Sequence, residues 1–359
     1  MFTPALGYLE RGHLESSSMT TILVTGGAGF IGSNFIPYFA GLHPEYHIVN
    51  LDKLTYAGSL ENLSDCSGRR NHEFVQGDIC DAVLVNQLMA EHDVRGVVHF
   101  AAESHVDNSI ANPRNFVETN TLGTFTLLDA ARRHWMLGPH QIRPGYESAR
   151  FHHVSTDEVF GTLGETGQFR ETTPYAPNSP YSASKAGADF LARAFFRTYG
   201  MNVTISNCSN NYGPKQHREK LIPTIIRKAL AGEPIPIYGD GLNIRDWIHV
   251  LDHTRAIDVI FHRGRAGESY AIGGRTEKTN LAMLTCVCGT LDRLHPRSDG
   301  RKYAEQLSFV NDRPGHDRRN SIDISKIHTE LGWNPTEPFD TGIEQTVRWY
   351  LAHLSRLLP

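Results

Sequence analysis

The sequence predicts an α/β protein, a doubly wound parallel sheet with a smaller C-terminal lobe, and three observations predict it. The stretch Thr21-Ile22-Leu23-Val24-Thr25 is apolar and β-branched, the pattern of a strand buried on both faces. It runs directly into Gly26-Gly27-Ala28-Gly29-Phe30-Ile31-Gly32, where Gly27-x-Gly29-x-x-Gly32 has the spacing of a dinucleotide-binding turn. From 19 to about 207, strand-like runs then alternate with helical ones, which places the chain in the Rossmann class.

Taken in order, the glycines allow a tight turn, a close backbone approach to a pyrophosphate and close helix–strand packing. The helix opened by Ser33-Asn34-Phe35-Ile36 would point its first N–H groups at the phosphates, and Pro37 should bend it. A second apolar run, 47–51, ends at Asp52, twenty positions after Gly32. An acid there suits adenosine ribose hydroxyls and repels a 2′-phosphate, so NAD is expected rather than NADP. A third run, 73–76, is closed by Asp78-Ile79, where a sheet edge can hold adenine. A fourth strand over 96–102 ends in small residues. A long amphipathic helix is expected over 112–137, a fifth strand over 150–155, a helix over 180–199 and a sixth strand over 202–206. Ligands bind beyond the carboxyl ends of such strands, which directs attention to 100–105, 155–160 and 207–214.

Beyond 208 the pattern loosens into short strands and Pro/Gly-rich turns, with helices near 252–263, 279–294 and 340–356. The expected organisation is a tail over 1–18, a cofactor-binding domain over 19–207 and a smaller substrate-binding lobe over 208–359, with segments near 244–265 and 319–333 returning to the first domain.

Composition narrows the function classes. The chain has 359 residues, 40% hydrophobic and 21% charged, with a net charge of −4, so no basic field recommends nucleic acid or an anionic membrane. No apolar run approaches the roughly 18 residues of a bilayer span, and 1–18 lacks the pattern of a signal peptide. Five cysteines without framework spacing suit a reducing cytoplasm. Cys286 and Cys288 do not face each other on a helix; they and the nineteen histidines are read as structural, and no metal site is expected.

Two clusters carry chemistry. Tyr181 and Lys185 stand four apart, hence on one helix face, and a cation beside a phenol should lower its pKa from about 10. Such a tyrosine can act as a general base on a hydroxyl while a hydride leaves the same carbon. At the end of the fifth strand, Thr156 offers a hydroxyl and Asp157-Glu158 two adjacent carboxyls. Two nearby carboxyls in different surroundings can divide into a protonated acid and an ionised base. Removing a proton from one carbon and a hydroxyl from its neighbour requires both.

Thr25-Gly26-Gly27-Ala28-Gly29-Phe30-Ile31-Gly32 together with Tyr181-x-x-x-Lys185 resembles the extended short-chain dehydrogenase/reductase family. Within it, Asp52-Lys53-Leu54-Thr55-Tyr56-Ala57-Gly58, Ala101-Ala102-Glu103-Ser104-His105-Val106-Asp107 and Thr156-Asp157-Glu158 resemble the branch that dehydrates nucleotide-activated glucose. So do Lys220-Leu221-Ile222-Pro223, the run from Tyr238 to Trp247 and Arg313-Pro314-Gly315-His316-Asp317-Arg318-Arg319. The resemblance implies a lyase that turns dTDP-glucose into dTDP-4-keto-6-deoxyglucose and water, with a tightly held NAD regenerated at each turnover. Tyr181, Lys185 and Thr156 would serve oxidation at C4, Glu158 would take the C5 proton, and Asp157 would protonate the departing C6 hydroxyl.

The implied cofactor contacts are Gly26, Gly29, Phe30, Ile31, Gly32, Asp52, Lys53, Leu54, Thr55, Asp78, Ile79, Phe100, Ala101, Ala102, Thr119, Tyr181, Lys185 and Asn211. For the nucleotide-sugar they are Ser104, Thr156, Asn210, Lys220, Leu221, Pro236, Ile237, Tyr238, Arg245, Asn280, Asp312, Arg313, Pro314, Gly315 and His316. A homodimer packed through 112–137 and 180–199 is also implied. Ala271, Asn320 and Leu251 depart from the family pattern, away from the acid, base and tyrosine. The alternatives are a UDP-sugar 4,6-dehydratase, a UDP-sugar 4-epimerase or decarboxylase of the same fold, and a non-catalytic NAD-sensing module. An epimerase has no use for an acid aimed at a leaving hydroxyl, and a sensor has none for the Tyr181/Lys185 pair.

Overall fold

The computed structural model describes residues 19–357; the tail expected over 1–18 lies outside them. Strand β1 (Thr20–Thr25) leads through the glycine turn into helix α1 (Phe30–Leu42), then β2 (Tyr46–Asp52), β3 (His72–Gln76), α2 (Ala82–Glu91) and β4 (Gly96–His99). Helix α3 (Thr124–Trp135), β5 (Arg150–Thr156), α4 (Pro180–Tyr199) and β6 (Val203–Cys208) complete the first half. The second half holds α5 (Leu221–Ala231), α6 (Val250–Arg263), β7 (Ser269–Ile272), α7 (Asn280–Leu294) and α8 (Phe339–Ala352). The seven labelled strands form one sheet in the order β7-β6-β5-β4-β1-β2-β3, every pair parallel. The order reverses between β1 and β4, and that reversal opens a crevice at the strands' carboxyl ends.

Alternation along β1 explains the two layers of helices. Ile22 and Val24 pack with Phe35, Ile36 and Phe39 of α1 and with Ile257 and Phe261 of α6. Leu23 points to the other face, with Val85 and Leu88 of α2, Leu127 and Leu128 of α3 and Phe195 of α4. Each such fully buried side chain contributes about 1.5–3 kcal/mol relative to exposure. A separate core, including Ile222, Ile225, Trp247, Met283, Leu284, Val287, Ile343 and Val347, holds the second lobe together.

Three local features differ from the sequence reading. The helix expected over 112–137 is not uniform: Pro113–Phe116 is followed by a π-helical run, Val117–Gly123, before α3 begins. The widened turns let Asn120 reach the backbone of Glu103, where its Oδ1 accepts from N at 2.8 Å and its Nδ2 donates to O at 3.0 Å. The last sheet strand, β7, comes from the second half, outside the two segments expected to return. It lies along β6, from Ser269 opposite Ile205 to Ile272 opposite Cys208, covering what would be an exposed sheet edge. Within the segment expected to return over 244–265, Ile244–His249 pairs with Asn210–Tyr212 and Glu277–Thr279 in a three-stranded sheet of its own, while α6 packs against β1 through Ile257 and Phe261.

Helix α1 runs through Pro37. The Ser33 carbonyl, which a proline cannot serve, accepts from Lys215 Nζ at 3.1 Å instead. Among the described residues no helix is long and apolar enough to cross a membrane.

Candidate active site

The glycine turn is shaped by close approaches. Gly26 adopts φ +72°, and a Cβ there would lie 2.5 Å from Ala101 N. A Cβ on Gly32 would lie 2.5 Å from Gly26 O, so only glycine lets α1 start this close to β1. No side chain caps α1 at Gly29, which leaves its first N–H groups and the positive end of its dipole free for an anion. At the end of β2, Asp52 is 8% exposed; its Oδ2 accepts from Ala28 N at 2.9 Å and its Oδ1 from Leu54 N at 2.8 Å. Burial raises its pKa, and the two N–H bonds oppose that rise. Lys53 forms an ion pair with Asp78 at 2.7 Å, tying the ends of β2 and β3 across the crevice floor.

A cleft with a cavity volume of about 740 Å³ runs along these strand ends. Every residue expected to touch the cofactor lines it except Leu54, whose backbone holds Asp52. An uncapped helix start, glycines that leave no room for side chains and a buried acid beyond β2 together suit a dinucleotide's pyrophosphate and adenosine ribose.

The far end of the cleft holds the chemical groups, and α4 delivers two of them. Ser179 caps α4 with Pro180 as its first residue; Ser179 Oγ accepts from Ser182 N at 3.1 Å and Ser182 Oγ from Ser179 N at 3.0 Å. Tyr181 is thereby fixed in the first turn with Lys185 one turn on, and both line the cleft. Lys185 Nζ donates to Val154 O on β5 at 2.8 Å. Burial brings its pKa down to about 8, with Asp189 and Cys208 opposing. Tyr181 corrects an expectation. Burial, and then the charge of Glu158, push its phenol well above its ordinary value, while a hydrogen bond with Thr156 pulls the other way. Lys185 does not lead the balance, because its ammonium is itself desolvated and turned to a carbonyl.

Thr156 ends β5 and caps the 3₁₀ turn Asp157–Phe160, its Oγ1 accepting from Glu158 N at 3.2 Å. Asp157 is 1% exposed, and its Oδ2 has no hydrogen-bond partner. Burial, then the neighbouring Glu158, raise the Asp157 carboxyl well above the usual range. Burial raises Glu158 too, but Arg313 and Arg245 work against it. Two carboxyls in unequal surroundings thus stand side by side in the cleft that Tyr181 also lines, Asp157 the more strongly biased toward its protonated form.

The expected sugar-nucleotide residues divide. Ser104, Thr156, Asn210 and Lys220 line the cleft, and Lys220 Nζ donates to Ser104 O at 2.6 Å. Leu221, Pro236, Ile237, Tyr238, Arg245, Asn280 and 312–316 do not line it and lie in the second lobe. Ile237 is 1% exposed and belongs to that lobe's core. Tyr238 is 38% exposed on the strand Ile235–Tyr238, which pairs with Leu307–Val310. The turn after it abuts Asp312, whose Oδ1 is 2.7 Å from His316 Nδ1. Arg245 is 7% exposed and donates to Ile244 O and Asp317 O. Arg313 approaches Asp107 at 3.3 Å. Leu221 opens α5 and Asn280 opens α7.

Sequence reasoning missed Glu103, Glu118, Gln216 and His217 of the cleft wall, and also Asn120. Asn120 is 1% exposed and clamps the Glu103 backbone to Ser184 Oγ, with Nδ2 to Oγ at 2.9 Å. No spacing marks it; its position depends on the π turn.

The chain is similar to known proteins over most of its length. The GDP-mannose 4,6 dehydratase family model matches residues 23–346. A dTDP-glucose 4,6-dehydratase from Xanthomonas campestris is 54% identical over 335 residues, 93% of this chain and 94% of its own. A solved dTDP-glucose 4,6-dehydratase from Streptomyces venezuelae, with NAD bound, superposes with a TM-score of 0.85 at 44% identity, covering 95% of this chain and 99% of that one. A UDP-glucose 4-epimerase from Thermotoga maritima gives 0.81 at 27% identity, covering 93% and 100%.

Proposed function

The chain belongs to the family that the GDP-mannose 4,6 dehydratase model describes, and from that premise we propose that it is an NAD-dependent dTDP-glucose 4,6-dehydratase. The relatives about half identical over most of the chain act on dTDP-glucose by name, and the residues at the strand ends supply what the reaction requires. Residues 19–207 would hold most of the cofactor contacts and 208–359 most of the sugar-nucleotide ones. NAD would lie from the glycine turn and Asp52, past Phe100 to Ala102 and Thr119, to Tyr181 and Lys185. When bound, it supplies a reversible hydride acceptor for C4 of the glucose and a donor for C6.

The chain's own groups do the rest. Tyr181 would take the C4 hydroxyl proton as its phenolate, a form that burial disfavours and that the positive charge of an oxidised nicotinamide would favour, with Thr156 and Lys185 beside it. The C4 ketone then acidifies the C5 proton, which Glu158 removes. Asp157, biased toward its protonated form by burial and by Glu158, would donate to the C6 oxygen as water leaves. Arg245 and Arg313 are suited to the diphosphate.

The single observation that carries this reading is the carboxyl pair. Asp157 has almost no exposure and an unpartnered oxygen, directly next to a glutamate that faces two arginines electrostatically.

The reading extends to a homodimer and a cytoplasmic location. Val117, Leu122, Phe125 and Phe190 are 54, 50, 42 and 54% exposed on the helices expected to pack against a second copy. The five cysteines are free, which suits a reducing compartment.

Incubating the protein with dTDP-glucose and no added reductant should yield a 4-keto sugar detectable in alkali. A product that keeps its C6 hydroxyl would assign an epimerase instead. UDP-glucose should turn over more slowly than dTDP-glucose; equal turnover would remove the thymidine preference.

A further inference from the structure

A group of side chains remote from the cleft has the composition of a cation site. Helix α1 ends at His43, its C-cap residue, beside Asp258 and His262, which stand one turn apart on α6. His43 Nε2 and His262 Nδ1 each lie 2.9 Å from the same oxygen, Asp258 Oδ1. The three ligand-type atoms fall within 4.8 Å of one another. Two imidazole nitrogens and a carboxylate form the kind of N/O set that zinc and its neighbours favour. Separations near 3 Å between donors suit metal–ligand bonds of about 2.0–2.2 Å.

The surroundings strengthen the case. The other nitrogen of His43, Nδ1, is 3.5 Å from Glu45 Oε1. A carboxylate behind a histidine orients the ring and raises its basicity as a ligand. Tyr38 donates to Asp258 Oδ2 at 3.4 Å. Phe39 packs against both imidazoles, with ring centroids 4.6 Å from His43 and 5.6 Å from His262, so the rings are held by apolar contacts. Asp258 is 6% exposed, while the His262 side chain is 28% exposed and gives an ion a route in. Without an ion the same groups hydrogen-bond among themselves, and His262 Nδ1 also lies 3.0 Å from its own helix's Asp258 carbonyl. That bond would have to be given up.

We propose that His43, Asp258 and His262 bind one divalent cation of the zinc class, with solvent in the remaining position, clipping the end of α1 to α6. The site is independent of the catalytic cleft. Its consequence is structural: the helix whose start faces the phosphates is anchored at its far end.

The test is calorimetric titration of the chelator-treated full chain with zinc chloride, alongside thermal unfolding with and without zinc. One site per chain and a zinc-dependent rise in melting temperature are expected. His43→Gln or His262→Gln should weaken that site about 100-fold or abolish the rise, and Glu45→Gln should weaken it about 10-fold. Dehydration activity should be unchanged in these variants. Absence of saturable uptake would overturn the proposal. So would uptake that persists in both histidine variants, or uptake lost instead in His92→Gln, which belongs to the second grouping His47, Glu73 and His92.

Discussion

At the scale of single residues, the acid and base assignments rest on unequal burial. Burial and the charge of Glu158 raise the Asp157 carboxyl well above its ordinary value, whereas Arg313 and Arg245 oppose the rise that burial causes at Glu158, so of the two Asp157 is the better placed to carry a proton. Replacing Asp157 by Asn keeps the shape and removes the transferable proton. The variant is expected to oxidise C4 but to lose water about 10²–10⁴ times more slowly, measured as stalled 4-keto-glucose nucleotide against finished product. Undiminished water loss would remove Asp157 from the acid role. Lys185 gives a pH prediction of definite sign. Its pKa is brought down to about 8, so its charge is complete below that value and is lost as pH rises through it. The rate should therefore fall on an alkaline limb near pH 8, and Lys185→Arg, which stays charged, should shift that limb upward. An unmoved limb would assign it to another group. The spacing of Tyr181 and Lys185 was readable in the sequence because a helix turns that spacing into proximity. The sign of the tyrosine's shift was not readable, since it depends on the low polarity of a cleft built from strands far apart in the chain.

Single elements show which signals were local. The strand–glycine–helix unit was legible because steric demands at Gly26 and Gly32 act between neighbours in sequence. A Gly32→Ala substitution sets its methyl 2.5 Å from the Gly26 carbonyl, an overpacking that costs about 1–3 kcal/mol. Transmitted to the start of α1, that should weaken NAD binding by about tenfold or more, as read by fluorescence titration. Unchanged affinity would show that the N–H groups of α1 do not set it. Helix α4 was legible to the residue because Ser179-Pro180 opens it and Gly200, in the left-handed region at φ +74°, ends it. Strand β7 was not legible. Its four residues, Ser-Tyr-Ala-Ile, are too few for a periodic signal, and what makes them a strand is the free edge of β6 more than sixty residues earlier. The π turn at 117–123 is of the same kind: the partners that stabilise it, the Glu103 backbone and Ser184, belong to other elements.

Across the whole molecule, the sheet is pinned from within by histidines that must stay neutral. His99, His152, His153 and His253 are at most 1% exposed. His99 joins β1 to α3, with Thr25 Oγ1 at 2.7 Å and Thr124 Oγ1 at 2.9 Å. His152 joins β5 to β6 through Thr204 and Ser206 at 3.0 and 3.1 Å. Burial is the first cause in each case. It brings His153 down to about 4 and His253 to about 3, and it holds His99 and His152 well below 6.5. Between those values and 6.5 the unfolded chain binds protons that the folded chain does not, so stability falls as pH is lowered through that window. Each histidine contributes at most about 1.4 kcal/mol per pH unit. The stability contributed by the neutral histidines should therefore be lost between pH 6.5 and about 4, while the raised carboxyls of Asp52, Asp157, Glu158 and Asp246 act in the opposite direction, so the histidine share is read as a difference between variants. Urea unfolding at pH 7, 6 and 5 measures this. A His152→Gln variant keeps an amide for Thr204 and Ser206 but cannot titrate, so it should flatten the dependence by one histidine's share. A His152→Gln variant whose pH dependence matches that of the native chain would mean that this ring is not held neutral by burial, and that the link between β5 and β6 lies elsewhere.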